Sequence, residues 1–174
     1  MTAGVRLVPV VGQEARSAVR ALRASVMREP FTAAGLPDAV VADLVATQST
    51  AQERAYRAEW PDSVDHLVVD GDRPVGRCWT AVVTDAAGVP TAVRVLDLAI
   101  APAARRTRMA TACLQSVIAQ ADAVGVDCVL GVRADNLPAR ALYRSLGFVE
   151  DDADGAAAGA DLQLRHAARS AVCA

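Results

Sequence analysis

The chain has 174 residues, of which 53% are hydrophobic and 22% are charged. This balance fits one globular domain that buries a substantial core better than it fits a disordered chain. The formal net charge of −2 disfavours general binding to nucleic acids, which usually requires a basic excess. All 18 basic residues are arginines, so chemistry that needs a lysine, such as a Schiff base, is excluded.

The cysteines and histidines show no metal-binding or disulfide pattern. The chain has two histidines, and its four cysteines are not in Cys-x-x-Cys spacing: Cys78, Cys113, Cys128 and Cys173. We therefore expect buried free thiols and no metal site. No stretch is typical of a signal peptide or long enough to span a membrane, and a cytoplasmic location is expected.

The first third of the chain predicts an edge strand and two helical regions. Val5–Val11 is apolar, and its internal Pro9 favours a strand at a sheet edge or one with a bulge. Gln13–Glu29 has helical spacing and is expected to end at Pro30. Its apolar face comprises Ala15, Val19, Leu22 and Val26, and three arginines are assigned to other sides: Arg16, Arg20 and Arg23. Asp38–Trp60 predicts one or two further helices.

The rest of the chain predicts a three-stranded meander, followed by alternating helices and strands. The meander strands are separated by turn residues and read HLVVD, VGRCWTAVV and TAVRVLDLAIA. They are followed by a helix over Arg108–Val124, a strand CVLGV buried on both faces, a short helix within NLPARALYRSLGF, a strand from Phe148, and a last strand DLQLRH. This order indicates an α+β or mixed α/β domain built on one sheet.

Two stretches carry a family resemblance. The first, LDLAIAPAARRTRMATACL (Leu96–Leu114), reads as a strand, a basic loop and a helix N-terminus, which together favour binding of an anion. The second, VLGVRADNLPARALYRSLGFVE, is a strand followed by Asn136, a short helix with Leu-Tyr, and Gly-Phe. Together they resemble the GNAT family of acyl-CoA-dependent N-acyltransferases over Asp65–Val149. Asp43–Pro61 also resembles a subgroup of GNAT sequences, to which we assign no substrate.

The resemblance implies a single GNAT-like domain over residues 1–166 and a loose tail over residues 167–174. It implies an α+β fold with a central, mostly antiparallel sheet of six or seven strands, splayed between the fourth and fifth strands, and with helices on both faces. The pantetheine of acetyl-CoA would lie in that gap. A strand bulge would aim backbone N–H groups near Ala99–Ala101 at the thioester carbonyl.

By the same resemblance, acetyl-CoA is the acyl donor, and its pyrophosphate lies on the loop Arg105–Ala110. Arg105 and Ala110 match the first and last positions of the motif Arg/Gln-x-x-Gly-x-Gly/Ala. Arg108 stands in place of a glycine, and the family commonly has another glycine where Arg106 stands. The residues implied in cofactor binding are Leu98, Ala99, Ile100, Arg105, Arg106, Thr107, Arg108, Met109, Ala110, Thr111, Asn136, Ala139 and Tyr143.

Arg108 has two interpretations, and both are left open. Glycine permits unusual φ values and lets a phosphate approach the backbone, so an arginine would block that approach and leave a basic loop exposed to solvent. Alternatively, Arg108 keeps a helical φ and adds a positive charge that binds phosphate.

The resemblance also implies a general acid, and the residues suggest a general base. Tyr143 stands at the position of the family's acid and would protonate the departing thiolate, since a phenol has an ordinary pKa of about 10; the alternative is a half-buried packing residue. Asp97, in an apolar run, would accept a proton from the amine or hold a neighbouring loop. Glu59 and Asp65 are weaker candidates. Asn136 contacts the cofactor or only caps a helix.

The predicted function is an N-acetyltransferase that moves an acetyl group from acetyl-CoA to a primary amine of a small molecule or peptide by direct attack. The alternative is a catalytically weak or inactive protein of the same fold, which binds acyl-CoA or serves as an assembly module. No nucleic acid or membrane partner is expected, and a homodimer is left open. Candidates for the amine site show no distinctive pattern, and two of them, Tyr56 and Trp60, are favoured as packing residues; the others are Glu29, Phe31, Gln48 and Gln52. The acidic run 150–154 attracts a cationic amine or is a solvated loop.

Overall fold

The computed structural model describes residues 4–151 and 161–169. Its helices are α1 (Gly12–Ala33), α2 (Asp38–Glu59), α3 (Met109–Ala123) and α4 (Leu137–Ser145). Its strands are β1 (Val5–Pro9), β2 (Val64–Asp70), β3 (Arg73–Thr84), β4 (Pro90–Ile100), β5 (Asp127–Arg133), β6 (Val149–Glu150) and β7 (Asp161–His166). The strands form a seven-stranded sheet in the order β1-β2-β3-β4-β5-β7-β6. The predicted element order and the α+β class are confirmed.

The sheet is mixed. β1 lies at one edge and pairs antiparallel with β2, so Pro9 removes no hydrogen bond from the centre of the sheet. β4 and β5 are parallel and pair over Ala92–Val95 and Asp127–Leu130, and β4 then continues to Ile100. β7 pairs antiparallel with both β5 and β6. The splay between the fourth and fifth strands and the placement of helices on both faces stay predictions.

The chain divides into two compact units, each with its own apolar residues. The first comprises Met1–Trp79 and Asp97–Cys113, and the second comprises Thr80–Leu96 and Leu114–Ala174. The first contains a cluster of Val19, Leu67 and Val69, against which Val10, Ala15 and Ala18 pack. In the second, α3 and β5 supply buried residues at helical and strand spacing: Leu114, Val117, Ile118, Ala121, Cys128, Leu130 and Val132.

α1 differs from its prediction in two ways. Pro30 does not end the helix, which runs on to Ala33. Proline lacks the N–H donor and crowds the carbonyl four residues before it, but its φ is helical, and the Pro30 carbonyl still accepts a hydrogen bond from Ala34 at 3.1 Å. Arg23, assigned to the polar side, is 6% exposed, so it belongs to the buried face of the helix.

Three cysteines are free and buried, as predicted, while Cys173 lies outside the described residues. Burial raises the pKa of the Cys128 thiol to about 12. The prediction that the strand CVLGV is buried on both faces is wrong, because burial alternates along β5 and Gly131 is exposed. Within the described residues, no helix is both long and apolar enough to cross a bilayer, and no cluster of histidine, cysteine and acidic side chains suits a metal ion.

The acidic run and the tail fall only partly on described residues. Glu150 pairs with Arg140 at 2.7 Å, and Asp151 pairs with Arg165 at 3.3 Å. These two carboxylates of the run are therefore partnered within the chain. Of the tail, residues 167–169 are described, and two of their backbone N–H groups donate to aspartates of β5 and α3 at 2.9 and 3.0 Å. Residues 152–154 of the acidic run and residues 170–174 of the tail lie outside the described residues.

Candidate active site

A buried arginine on β3 organises the polar centre of the first unit. Arg77 is 1% exposed. Its Nε and Nη2 donate to the two carboxylate oxygens of Asp65 at 2.7 and 2.9 Å, and its Nη1 donates to Oδ2 of Asp97 at 3.4 Å. The guanidinium also lies over the ring of Trp79, 4.4 Å from the centroid. Because a buried charge is tolerated only when it is paired in this way, the cluster depends on all of these contacts together.

The three predicted candidates for the general base lie in different environments. Asp97 of β4 has a side chain that is 21% exposed, and Arg77 holds one of its oxygens. Asp65 of β2 is bound through both oxygens and is more deeply buried. Glu59, the last residue of α2, is exposed. Arg77 thus brings Asp65 and Asp97 together, and Asp97 anchors a neighbouring strand rather than a loop.

Side chains of α2 contact this centre. The Tyr56 ring meets the Trp79 ring edge to face, with centroids 5.3 Å apart, which confirms Tyr56 as a packing residue. The Arg57 guanidinium lies 5.1 Å from the Trp79 centroid. The Gln52 amide donates to the Tyr56 hydroxyl at 3.0 Å, and its carbonyl oxygen accepts a hydrogen bond from Arg23. A hydrogen-bonded chain therefore joins α2 to the buried arginine of α1.

Burial shifts the pKa of two groups in this network. It lowers the pKa of Arg23, and the positive charge of Arg77 lowers it further. It raises the pKa of the Tyr56 phenol, against the opposing effect of the hydrogen bond from Gln52. The raised pKa keeps the Tyr56 phenol neutral at neutral pH, whereas arginine stays protonated in proteins, so Arg23 remains a cation.

β3 and β4 approach each other closely at Gly76. A Cβ atom on Gly76 would lie 2.6 Å from Cδ1 of Ile100 and 2.7 Å from the carbonyl oxygen of Ala99. The N–H of Ala101 donates to the carbonyl oxygen of Val75 at 2.9 Å. The expected use of backbone N–H groups in this segment to polarise a thioester is therefore wrong for Ala101, because β3 already occupies that donor.

Gly76→Ala is expected to lower the free energy of unfolding by about 1–3 kcal/mol. The new methyl group would overlap a backbone carbonyl, which cannot rotate away as a flexible side chain could. Urea denaturation checks this. Gly131→Ala is the matched control in β5, since its Cβ would meet only the Gln163 side chain, at 3.4 Å. Equal stability of the two variants would contradict the close approach.

The loop between β4 and α3 has an unusual backbone. After a 3-10 turn at Pro102–Ala104, Arg106 and Arg108 have φ values of +63° and +65°. They are the only non-glycine residues with positive φ in the described part of the chain. Both stand where the family resemblance places glycine. Left-handed backbone at alternate residues turns N–H groups toward one side, which is how anion-binding concavities are formed.

The backbone at Arg108 differs from the expectation that this residue keeps a helical φ. Arg108 does not keep a right-handed helical φ, and α3 begins one residue later than predicted, at Met109. The Thr107 hydroxyl donates to the carbonyl of the preceding turn at 2.6 Å, and Arg105 pairs with Glu29 of α1 at 2.5 Å. The first backbone N–H groups of α3 have no acceptor within their own helix, as at any helix start. They form the positive end of the helix dipole, which favours an anion.

Arg108→Gly is expected to raise the free energy of unfolding by up to about 1 kcal/mol, because glycine adopts positive φ without a steric penalty. The greater freedom of glycine in the unfolded chain offsets part of this gain. Thermal unfolding checks the result. Arg108→Ala removes the same charge but keeps Cβ, so it should give no gain. Stabilisation by alanine as large as that by glycine would show that charge, rather than backbone strain, is responsible.

In the second unit, Asn136 is the N-cap residue of α4. Its Oδ1 accepts a hydrogen bond from the backbone N–H of Ala139 at 3.3 Å, so the capping interpretation is confirmed. Contact of Asn136 or Ala139 with a cofactor stays a prediction. None of the α4 residues is fully buried, and Leu142 and the following Leu146 are half-buried.

Tyr143 is the half-buried aromatic of α4. Its ring meets Phe148 with centroids 5.9 Å apart, and Phe148 in turn meets His166 at 5.5 Å. The backbone N–H of Phe148 donates to the Tyr143 carbonyl at 3.1 Å. Gly147 has a φ of +87°, so only glycine readily makes the turn that returns the chain to Tyr143. The Leu-Tyr and Gly-Phe pairs of the motif therefore hold one another in place.

Two buried arginines of the first unit, Arg77 and Arg23, were not predicted from the sequence. For Arg77, one signal was present: a charged residue in the middle of the apolar strand VGRCWTAVV. A charge at such a position demands a partner. For Arg23 the helical spacing gave no signal, because a single arginine at the border of an apolar face is usually solvated.

Solved structures with the same fold cover nearly all of this chain. The histone acetyltransferase HPA2 and related acetyltransferase of Corynebacterium glutamicum ATCC 13032 has a TM-score of 0.64 and 18% identity, over 99% of this chain and 100% of that chain. An acetyltransferase of Thermus thermophilus has a TM-score of 0.62 and 19% identity, over 95% and 99%. The PaiA N-acetyltransferase of Thermoplasma acidophilum, in complex with coenzyme A, has a TM-score of 0.61 and 13% identity, over 93% and 98%. At these identities the likeness establishes the fold.

Sequence comparison identifies the family. No curated protein matches the chain significantly. The model of the acetyltransferase (GNAT) family matches residues 35–148, which is more than half of the chain and includes the basic loop, Asn136 and Tyr143. Members of this family use acyl-CoA and acetylate amines. The chain therefore belongs to the GNAT family of acetyltransferases.

Proposed function

We propose that this protein transfers an acetyl group from acetyl-CoA to a primary amine, which attacks the thioester directly. The observation that carries this proposal is the loop Arg105–Ala110, whose backbone has positive φ at Arg108, the motif's first glycine position, and at Arg106, where the family commonly has another glycine. A direct attack suits the described cysteines, since Cys78, Cys113 and Cys128 are all buried and inaccessible to a thioester. No acyl-cysteine intermediate is therefore proposed.

The loop and the first turn of α3 fit a pyrophosphate. Backbone N–H groups of the loop and the positive end of the helix dipole would receive the phosphate oxygens. The side chains of Arg106 and Arg108 are exposed, so they would add positive charge without first leaving a partner in the described chain. Arg105 would exchange or share its exposed ion pair with Glu29, which a surface pair permits at a cost of about 0–1 kcal/mol.

Two side chains would move the protons of the reaction. Acetyl-CoA supplies the acetyl group as an activated thioester. Tyr143 would donate its phenolic proton to the departing thiolate, since it stands at the acid position of the family motif and its ring is held by Phe148. Asp97 would accept a proton from the amine, directly or through water, because Arg77 bonds only its Oδ2 among the described residues.

Two measurements test the proposal. Calorimetric titration should detect saturable binding of acetyl-CoA, and the release of coenzyme A thiol should depend on an added primary amine. Tertiary amines of similar size and charge are the matched control, because they cannot form a stable amide. Absence of acetyl-CoA binding at millimolar cofactor would contradict the proposal. Binding with no release across a panel of amines would instead favour the non-catalytic acyl-CoA-binding alternative.

A further inference from the structure

A polar cavity of about 290 Å³ lies in the first unit, and neither Asp97, Tyr143 nor the loop Arg105–Ala110 lines it. Residues of α1, α2, β2 and β3 and the end of β1 form its walls. Its charged lining consists of five arginines and two carboxylates: Arg16, Arg20, Arg23, Arg57, Arg77, Glu53 and Asp65. The cavity therefore carries an excess of positive charge, although the whole chain has a net charge of −2.

Two of the five arginines have carboxylate partners, and three do not. Arg77 is paired with Asp65 at 2.7 Å, and Arg57 is paired with Glu53 at 3.4 Å. The remaining three stand on α1 at i, i+4 and i+7, which aligns them along one side of the helix: Arg16, Arg20 and Arg23. Across residues 4–151 and 161–169, no carboxylate oxygen lies within 4.0 Å of these three guanidinium groups.

Arg23 is the buried member of this row. Both of its hydrogen bonds within the described chain use Nη2, to the Gln52 carbonyl oxygen and to the Met27 sulfur at 3.8 Å. Nε and Nη1 thus remain for another acceptor. Burial and the charge of Arg77 lower the pKa of Arg23, and the Asp97 carboxylate opposes this only from beyond ion-pair distance. An anion in the cavity would pair with the buried charge of Arg23 and would offset its repulsion by Arg77.

We propose that this cavity binds a small molecule through a carboxylate or phosphate group held by Arg23, Arg20 and Arg16. Arginine suits both groups, because its planar fork donates two parallel hydrogen bonds to two oxygens. Known small-molecule pockets begin at about 300 Å³, so the cavity is of a size for an organic acid or a phosphate ester rather than a lone inorganic ion. Binding of this ligand does not require acetyl-CoA.

Calorimetry on the full chain tests this without acetyl-CoA, at constant ionic strength. The probes are succinate for the carboxylate class, glycerol 3-phosphate for the phosphate class, and glycerol as the uncharged control. We expect saturable binding of one acid or both, with a stoichiometry of one, and none of glycerol. The acid that binds more tightly identifies the ligand class. Absence of saturable binding by both acids in the millimolar range would overturn the proposal.

Matched variants assign the binding to the cavity. Arg20→Gln keeps an exposed polar side chain and should weaken binding about tenfold or more, because it removes a charged donor. Arg23→Gln should weaken it further. Arg54→Gln removes an exposed arginine of α2 that does not line the cavity and should leave the affinity unchanged. Equal losses in Arg20→Gln and Arg54→Gln would overturn the assignment, even if Arg23→Gln proves too unstable to study.

Discussion

Arg77→Gln is expected to lower the free energy of unfolding by about 3–5 kcal/mol, a large part of the stability of an ordinary domain. The substitution leaves the Asp65 and Asp97 carboxylates close together without the cation that joins them. It also removes the guanidinium from the face of Trp79, which is fully buried. Glutamine keeps a polar head but supplies neither the charge nor the fork that binds both oxygens of Asp65.

Urea denaturation followed by circular dichroism measures this loss. Arg73→Gln is the matched control, since it removes an exposed arginine from the same strand and should change stability by less than about 0.5 kcal/mol. Adding Asp65→Asn to Arg77→Gln should recover part of the loss, because one uncompensated carboxylate then disappears. A loss in Arg77→Gln no greater than in Arg73→Gln would show that the cluster is not a buried ionic centre.

The fold could be predicted because its signals are local. Pro9 marks an edge strand, Gly125 follows α3, Pro138 lies in the first turn of α4, and Gly147 follows that helix; each acts through its own backbone geometry. Pro30 shows the limit of such signals, because proline weakens a helix but does not always end it. Helix ends and glycine turns depend on only a few neighbouring residues, so they can be predicted from the sequence alone.

The site was predicted less completely because its contacts join distant parts of the chain. Arg77 meets Asp65 and Asp97, 12 and 20 residues away in sequence, and no periodicity reports such a pairing. Asp97, a carboxylate in an apolar run, needs a partner, but the sequence does not show which residue supplies it. For the loop Arg105–Ala110, the family resemblance indicated where glycine is expected. Only the backbone of the structure shows that Arg106 and Arg108 adopt the positive φ that glycine favours.

Tyr143→Phe is expected to lower kcat about 100-fold or more while leaving the affinity for acetyl-CoA nearly unchanged. General acid catalysis contributes about 10²–10⁴-fold, and phenylalanine has no proton to give to the departing thiolate. Phenylalanine keeps the ring that packs against Phe148, so the loss should fall on turnover rather than on folding or binding. Steady-state thiol release gives kcat, and calorimetric titration gives the dissociation constant of acetyl-CoA.

Ser145→Ala is the matched control for this experiment. It removes a hydroxyl group from the same helix, two residues away, where the side chain is exposed and donates only to the Leu142 carbonyl at 2.7 Å. Its kcat should stay within about twofold of the parent, since surface substitutions change free energies by about 0.5 kcal/mol or less. If Tyr143→Phe retains the activity of Ser145→Ala, Tyr143 is a packing residue and the proton reaches the thiolate from another donor. If both kcat and acetyl-CoA affinity fall together in Tyr143→Phe, the phenol binds the donor instead of protonating the leaving group.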